Sequence, residues 1–415
     1  MRIILLSENF PPEVGAPQIR LYEVGKELIA RGHQVEVLTA FPHHPHGEIP
    51  EEYKGKFYQF ENYEGIPVHR TWIYPSPKGS FLRRLASYFS FTFSAFYSVF
   101  KAKPADVIIC TSPPLFLGIT GYLASKLKRA KFIFNVADIW PESAVELGIL
   151  KNETCIRFAE KLERFLYKKA WKIATATEGI KEYMLKQGKD EEDVFLLPNG
   201  VNTDQFTPGN VNIEKLESLN LSGKKVFTFA GRMGYAQALD SVLKAAKLVQ
   251  DRQLDHIAFL FIGDGPEKQK IVEMAKQMDL RNVTFHDPVP VSEMPDVYAI
   301  SDFCLVTLKN IDLFKGARPS KIFPALSSGV PVIFSGVGES EELITQNKCG
   351  IISEPENPED LAEKVIECAE MSEENYEELS WNGRRFVERE YSWRSIVDDL
   401  EENIKEEPVE LFESC

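Results

Sequence analysis

Short apolar runs alternate with helix-period segments along this chain, and the alternation occurs twice. In the first half RIILL, QVEVLT, DVIIC, KFIFNV and WKIATA are separated by helix-like stretches such as QIRLYEVGKELIARG. In the second half KKVFTFAG, HIAFLFIG, DFCLVTL and GVPVIF read as strands, with helices expected at 240–249, 268–277 and 292–300. Short runs rich in β-branched and aromatic residues, joined through helices, make βαβ units and a parallel sheet covered on both faces. The two series meet at LPNGVNTDQFTPG, where Pro198, Asn199-Gly200, Pro208 and Gly209 concentrate turn chemistry. At 415 residues the chain exceeds one ordinary core. The expectation is an α/β protein of two doubly wound, Rossmann-like domains: 1–202, with a helical segment 391–415 packing back on it, and 203–390. Open parallel sheets bind ligands beyond the carboxyl ends of their strands, so function is sought in a central cleft that the two domains face.

Charge and cysteine usage exclude several classes. The chain carries 62 acidic and 48 basic residues, a formal charge of −14, and has no basic stripe, so no nucleic-acid partner is expected. Cys110, Cys155, Cys304, Cys349, Cys368 and Cys415 form no CxxC pair, which speaks against a metal knuckle or disulfide framework and for a reducing cytoplasm. The apolar IILLS after Met1-Arg2 is too short for a signal peptide and reads as a buried strand. LASYFSFTFSAFYSVF, residues 85–100, is shorter than the ~20 residues a spanning helix needs. Its Leu85, Phe89, Phe93, Phe96 and Phe100 recur at spacings of three and four, bracketed by Lys78, Arg83, Arg84, Lys101 and Lys103. Two readings stand: a buried core helix, or peripheral contact of 78–103 with an anionic membrane surface, which would place a cytoplasmic protein at the inner face of the plasma membrane.

Three strand-end motifs suggest an anion site. RPSKIFPALSSGVPVIF, residues 318–334, sets Arg318 and Lys321 before a short helix and the strand 330–334. A helix start already has unpaired N–H groups and partial positive charge, so added cations call for an anion. Pro324 falls in the first turn, where proline is tolerated. FAGRMG, residues 229–234, offers Arg232, whose planar fork of donors suits phosphate. FIGDGPE, residues 261–267, has Gly263 and Gly265, which allow close backbone approach to a base or sugar, although such turns also simply end parallel strands. HHPH at 43–46 lacks the spacing of known metal sites and reads as a surface loop or an acceptor-facing wall. Asp138 and Glu142 flank Pro141 and are compatible with helix capping or with catalysis.

These segments, with FPPEVGAPQIRLYEVGKELIARGHQVEVLT, DIWPESAVELGIL, LPNGVNTDQF, GRMGYAQALDSVLKAA, NVTFHDPV and ARPSKIFPALSSGVPVIF in that order, resemble the retaining glycosyltransferases of family 4, which have the two-domain GT-B fold. DIWPES, AQALD and PSK are most similar to the subgroup that adds amino or deoxy sugars to bacterial surface glycans. The resemblance implies a nucleotide-diphosphate sugar, UDP-linked, as donor and co-substrate, with no cofactor or metal. The acceptor would be a glycan or lipid-linked sugar in cell-surface polysaccharide biosynthesis, and the anomeric configuration would be retained. By the same resemblance Arg232 and Lys321 hold the donor diphosphate, assisted by N–H groups at Pro319, Ser320 and Lys321. The Gly263–Gly265 turn, Arg281 and Val283 line the base. Gly15 and Ala16 stand where the family has paired glycines that make room for donor phosphate, and Asp138 and Glu142 face the reacting sugar.

The chain departs from the family pattern at four positions. Gly316 and Pro324 occupy the places of two glutamates that contact the donor sugar and the ribose. Gln237 replaces a lysine, and Ala137 a histidine. Two other classes fit the same residues: a sugar-nucleotide epimerase, and a catalytically impaired nucleotide-sugar-binding subunit, which would account for Gly316 and Pro324 together. No G-x-G-x-x-G follows the first strand, which disfavours hydride transfer.

Overall fold

A computed structural model describes residues 1–13, 15–43, 47–76, 81–146 and 150–405. They fall into two compact units, Met1–Asn199 with the segment from Trp393, and Gly200–Ser392.

The first unit is built on β1 (Arg2–Leu6), β2 (Gln34–Ala40), β3 (Tyr58–Tyr63), β4 (Ile66–Thr71), β5 (Val107–Ser112), β6 (Lys131–Val136), β7 (Lys172–Thr175) and β8 (Val194–Leu196). The sheet order is β3-β4-β2-β1-β5-β6-β7-β8, parallel except for the β3–β4 hairpin at its edge. Strands with both faces covered must be apolar on both, and β1, β2, β5 and β6 are buried almost throughout. One face packs against α1 (Ala16–Ala30) and α15 (Trp393–Ile404), which insert Leu21, Val24, Leu28, Trp393, Ile396 and Leu400. Arg31, just past α1, ties the two helices together through Asp398 at 2.6 Å and Glu401 at 3.1 Å. The opposite face carries α2 (Phe81–Lys101), α3 (Leu117–Lys128), α5 (Glu153–Lys169) and α6 (Glu178–Lys186), with the one-turn helix α4 (Glu142–Glu146) between β6 and α5.

The second unit begins with α7 (Ile213–Ser218) and has β9 (Lys225–Ala230), β10 (Ile257–Ile262), β11 (Val283–His286), β12 (Phe303–Thr307), β13 (Val332–Ser335) and β14 (Gly350–Ser353), all parallel in the order β11-β10-β9-β12-β13-β14. The helices α8 (Leu239–Asp251), α9 (Lys268–Gln277), α10 (Met294–Tyr298), α11 (Ile322–Ser327), α12 (Glu339–Gln346), α13 (Pro358–Ala369) and α14 (Glu373–Glu390) cover it. Phe227, Phe229, Phe259 and Phe261 fill the face under α8 and α13, while Cys304, Val306, Val332 and Phe334 face α11 and α14. β13 starts two residues later than the sequence suggests. Pro331 has no N–H for the ladder, so it only accepts, from Cys304 N at 2.9 Å, and regular pairing begins at Val332. α13 starts at Pro358 because Asn357 caps it by accepting from Asp360 N.

Candidate functional site

In the second unit β9 and β10 lie side by side at the middle of the sheet, and the loops that leave them are stitched backbone to backbone. Gly231 N donates to Ile262 O at 2.8 Å, Met233 N to Asp264 O at 2.8 Å, and Glu267 N to Met233 O at 3.0 Å. This stitching explains the glycines of the second loop. A Cβ on Gly263, whose φ is +143°, would lie 1.9 Å from Gly231 O, and one on Gly265 would lie 2.2 Å from Met233 O. The two glycines are therefore already required by the close approach of the neighbouring loop.

Beside this double loop stand two cations. Lys321, at the start of α11, is half-buried, and its ammonium lies 3.5 Å from the centroid of Phe229 on β9. A Cβ on Gly231 would lie 3.4 Å from the same nitrogen. No carboxylate pairs with Lys321 among the described residues, and burial lowers its pKa from 10.5 to about 8. Arg232 follows Gly231, is exposed, and its guanidinium makes no hydrogen bond or ion pair among the described residues. Two cations, one beside Gly231 and one following it, thus stand at the carboxyl edge of the sheet without a counter-charge among the described residues.

Arg318 differs. It is ion-paired with Glu339, donates to the Tyr391 hydroxyl at 2.6 Å and lies over that ring. Of the two cations before α11 that the sequence offers to an anion, only Lys321 is therefore available. α11 is a six-residue helix with Pro324 third in it. Ile322 N bonds the Pro319 carbonyl at 3.1 Å, whereas the amides of Ser320 and Lys321 reach no acceptor among the described residues. Gln237, which stands where a lysine was expected, holds its own turn: its Oε1 accepts from Gly234 N at 3.0 Å. Gly316 sits in the half-buried segment before Arg318, where the neighbouring Lys315 carbonyl accepts from Glu339 N at 2.8 Å.

Arg281 and Val283 are not at this edge. The register pairs Phe259 with Val283 and Ile262 with His286, so Val283 opens β11 and Arg281 precedes the strand. At ~3.3 Å per residue Arg281 lies roughly 16 Å back along the strand from His286. Its amide is held by Gln250 Oε1 at 2.6 Å. The residues β11 delivers to the site edge are His286, whose carbonyl accepts from Gly263 N at 3.3 Å, and Asp287 after it. That correction follows from register: order along the chain does not say which end of a strand a residue occupies.

In the first unit Asp138 lies just past β6, half-buried. Burial raises its pKa, against the opposing pull of the Ser143 hydroxyl, which donates to Oδ2 at 2.9 Å, and of the Ile139 amide. Glu142 is exposed at the start of α4. Gly15 is the extended residue before α1, and a Cβ there would meet the Gln18 side-chain oxygen at 2.4 Å. Ala16 opens the helix, but its side chain lies outside the described residues, as do His44, Pro45 and His46 of the HHPH motif.

One cluster was not legible in the sequence. Glu8 follows β1, His43 follows β2, and the two meet because these strands pair in parallel, Leu6 with Leu38. His43 Nε2 is 3.5 Å from Glu8 Oε1, Nδ1 is 3.4 Å from Glu13 Oε1, and the His43 amide donates to Glu13 at 2.6 Å. Burial opposes charge on the imidazole, but the Glu8 and Glu13 carboxylates outweigh it and raise its pKa. Burial raises the pKa of Tyr88 of α2, with the charges of Glu8 and Asp138 adding to it, and Arg84 opposes this by donating to its hydroxyl at 3.2 Å. The available signal was ENFPPE, two acids flanking a proline pair directly after the first strand. No group of three or more His, Cys, Asp or Glu placed to hold a metal occurs among the described residues.

Known proteins share this architecture. The family model described as "Glycosyl transferase 4-like domain" matches residues 15–200, and the one described as "Glycosyl transferases group 1" matches residues 212–386. The putative colanic acid biosynthesis glycosyl transferase WcaI of Escherichia coli K12 is 26% identical over 413 residues, covering 96% of this chain and all of that protein. An uncharacterized glycosyltransferase of Methanocaldococcus jannaschii is 23% identical, with 96% of each chain covered. Among solved structures, Anabaena HepE in complex with UDP and glucose superposes with a TM-score of 0.71 at 16% identity, covering 97% of this chain and 99% of its own. A glycosyltransferase from Rickettsia africae gives 0.71 at 19% identity with 97% of each chain covered. At these identities the structural likeness speaks to the fold alone.

Proposed function

The chain belongs to the group 1 glycosyltransferases of GT-B fold, and from that premise we propose that it transfers a hexosyl group from a UDP-linked sugar to a glycan or lipid-linked acceptor in cell-surface polysaccharide biosynthesis, on the cytoplasmic side. The observation that carries the reading is the pair Lys321, whose ammonium lies beside Gly231, and Arg232, the next residue, two cations without a counter-charge among the described residues at the carboxyl edge of a parallel sheet. Leaving-group charge grows on the diphosphate as the sugar–oxygen bond breaks, and fixed cations in a partly desolvated site stabilise that charge without reorganising. The free amides of Ser320 and Lys321 add donors. The charge is thus met by side chains, and the reading invokes no metal; transfer that persists in a chelator supports it.

The UDP preference draws on the structural neighbour that holds UDP and glucose, and the polysaccharide role on the relative named for colanic acid biosynthesis. In the proposed retaining reaction the bond from the anomeric carbon to phosphate oxygen breaks. The bond to the acceptor oxygen forms on the same face, and the acceptor proton passes to the departing phosphate. Asp138 and Glu142 would face the reacting sugar, with Gly15 and Ala16 leaving room for donor phosphate. Gly316 and Pro324 supply no carboxylate to the sugar or ribose, so donor affinity is expected to be lower by ~1 kcal/mol for each hydrogen bond lost.

The test is a thermal-shift screen with UDP-, GDP- and dTDP-sugars, followed by acceptor transfer monitored by NMR of the anomeric proton. A stabilising UDP-sugar and a product that keeps the donor's anomeric configuration support the proposal. Stabilisation without transfer to any acceptor leaves a nucleotide-sugar-binding subunit. A folded protein that no nucleotide sugar stabilises overturns the donor assignment.

A further inference from the structure

α2 is amphipathic in an inverted sense. Its core seam is Phe91, Ala95 and Val99, continued by Ala102. The hydroxyls of Thr92, Ser94 and Ser98 also face inward and return their hydrogen bonds to the protein: Ser98 to Ala95 O at 2.6 Å, Thr92 to Tyr88 O at 2.8 Å, and Ser94 to Phe91 O at 3.2 Å. The aromatic seam read from the sequence lies along the border of that core face and opens outward at Phe93 and Phe100. Leu85, Phe89 and Phe96 are half-buried, Phe89 against Phe116 at 4.3 Å, while Phe93 and Phe100 are 76% and 62% exposed. The seam is thus divided between the two readings: Phe96 packs against the core, whereas Phe93 and Phe100 face outward. A helix on a water-facing surface places polar groups outward, whereas this one places phenyl rings there.

The neighbouring α3 extends the apolar surface. Thr120 of α3 donates to Thr92 O of α2 at 2.7 Å, and Leu123 and Leu127 are 45% and 52% exposed. Charge on the two helices is one-sided. Neither contains an aspartate or glutamate, and together they carry Arg83, Arg84, Lys101, Lys126 and Lys128, in a chain whose formal charge is −14. Exposed aromatic and leucine side chains bracketed by cations suit the boundary between headgroups and acyl chains of an anionic bilayer. The same charge argues against a second copy of the chain, because a two-fold contact would set five cations against five. No helix among the described residues is long and apolar enough to cross a membrane, so contact would be interfacial.

We propose that the outer face of α2 and α3 docks on an anionic lipid bilayer. This docking is independent of the donor assignment above. The experiment is co-sedimentation of the full chain with vesicles of phosphatidylglycerol and phosphatidylcholine, or of phosphatidylcholine alone. Binding to the anionic vesicles only, weakened by 0.5 M salt, is expected. A Phe93→Ser/Phe100→Ser variant should bind at least about tenfold more weakly, as should an Arg84→Glu/Lys101→Glu variant. The Phe93→Ser/Phe100→Ser change should leave the melting temperature and any UDP-sugar shift unaltered, which keeps failure of docking distinct from failure of the donor site. Equal binding by wild type and variants, no binding to anionic vesicles, or a wild-type dimer that the phenylalanine variant splits would overturn the proposal.

Discussion

Lys321 makes donor binding a proton-uptake reaction. With a pKa of about 8 in the empty site, its ammonium is roughly nine-tenths protonated at pH 7 and about one-tenth at pH 9. A diphosphate placed beside it favours the charged form and raises that pKa, so binding must take up the missing proton. Between pH 7 and pH 9 donor affinity should fall about tenfold, ~1.4 kcal/mol, and proton uptake per donor bound should rise from about 0.1 to about 0.9. Stability runs the other way. The folded pKa lies below the unfolded value of 10.5, so the unfolded chain binds more protons across pH 8 to 10.5, and the empty protein gains stability as pH rises through that window. Titration calorimetry with UDP-glucose, in buffers of different ionisation enthalpy, reads affinity and proton uptake together. Lys321→Met should bind more weakly and lose this dependence, and subtracting it cancels any titration of the nucleotide. Wild-type affinity that stays level from pH 7 to 9 with no proton uptake would refute the reasoning.

Three further outcomes follow from geometry. Arg232→Ala should abolish the UDP-sugar thermal shift while leaving the melting temperature of the free protein unchanged, since that guanidinium holds nothing among the described residues. Gly263→Ala places a methyl 1.9 Å from a backbone carbonyl and should cost more than about 3 kcal/mol in urea denaturation; Gly188→Ala, with a positive φ but nothing within 4 Å, should cost only about 1 kcal/mol. Burial raises the pKa of Glu163, with Tyr167 donating to it at 2.6 Å, from 4.5 to about 7. Because the native state keeps that proton, stability falls as pH rises from 4.5 through 7, by roughly 3 kcal/mol at most. Glu163→Gln should flatten this slope in unfolding measured at pH 5 and pH 8.

The parallel sheets were legible because strands buried on both faces are written as continuous apolar runs, as in RIILL and HIAFLFIG. The β3–β4 hairpin was not: β3, YQFENY, is an edge strand with no fully buried side chain, and its turn is the unremarkable Glu64-Gly65. Charge type at the candidate site was legible and charge availability was not. Nothing in the chain order announces that Glu339 takes Arg318 or that Lys321 settles over Phe229, ninety-two positions away. Arg281 was misplaced for the reason that hides His43 beside Glu8, since strand register and parallel pairing decide who meets whom. On α2 the spacing announced an aromatic seam, but spacing alone does not say which seam faces the core.

A crystal structure of the chain with UDP bound is the most direct measurement. Diphosphate oxygens should lie within about 3 Å of Lys321 Nζ and of the Arg232 guanidinium, with the nucleotide over the loops that follow β9 and β10. UDP seated at the opposite edge of the sheet near Arg281, or a diphosphate that touches neither cation, would contradict the account.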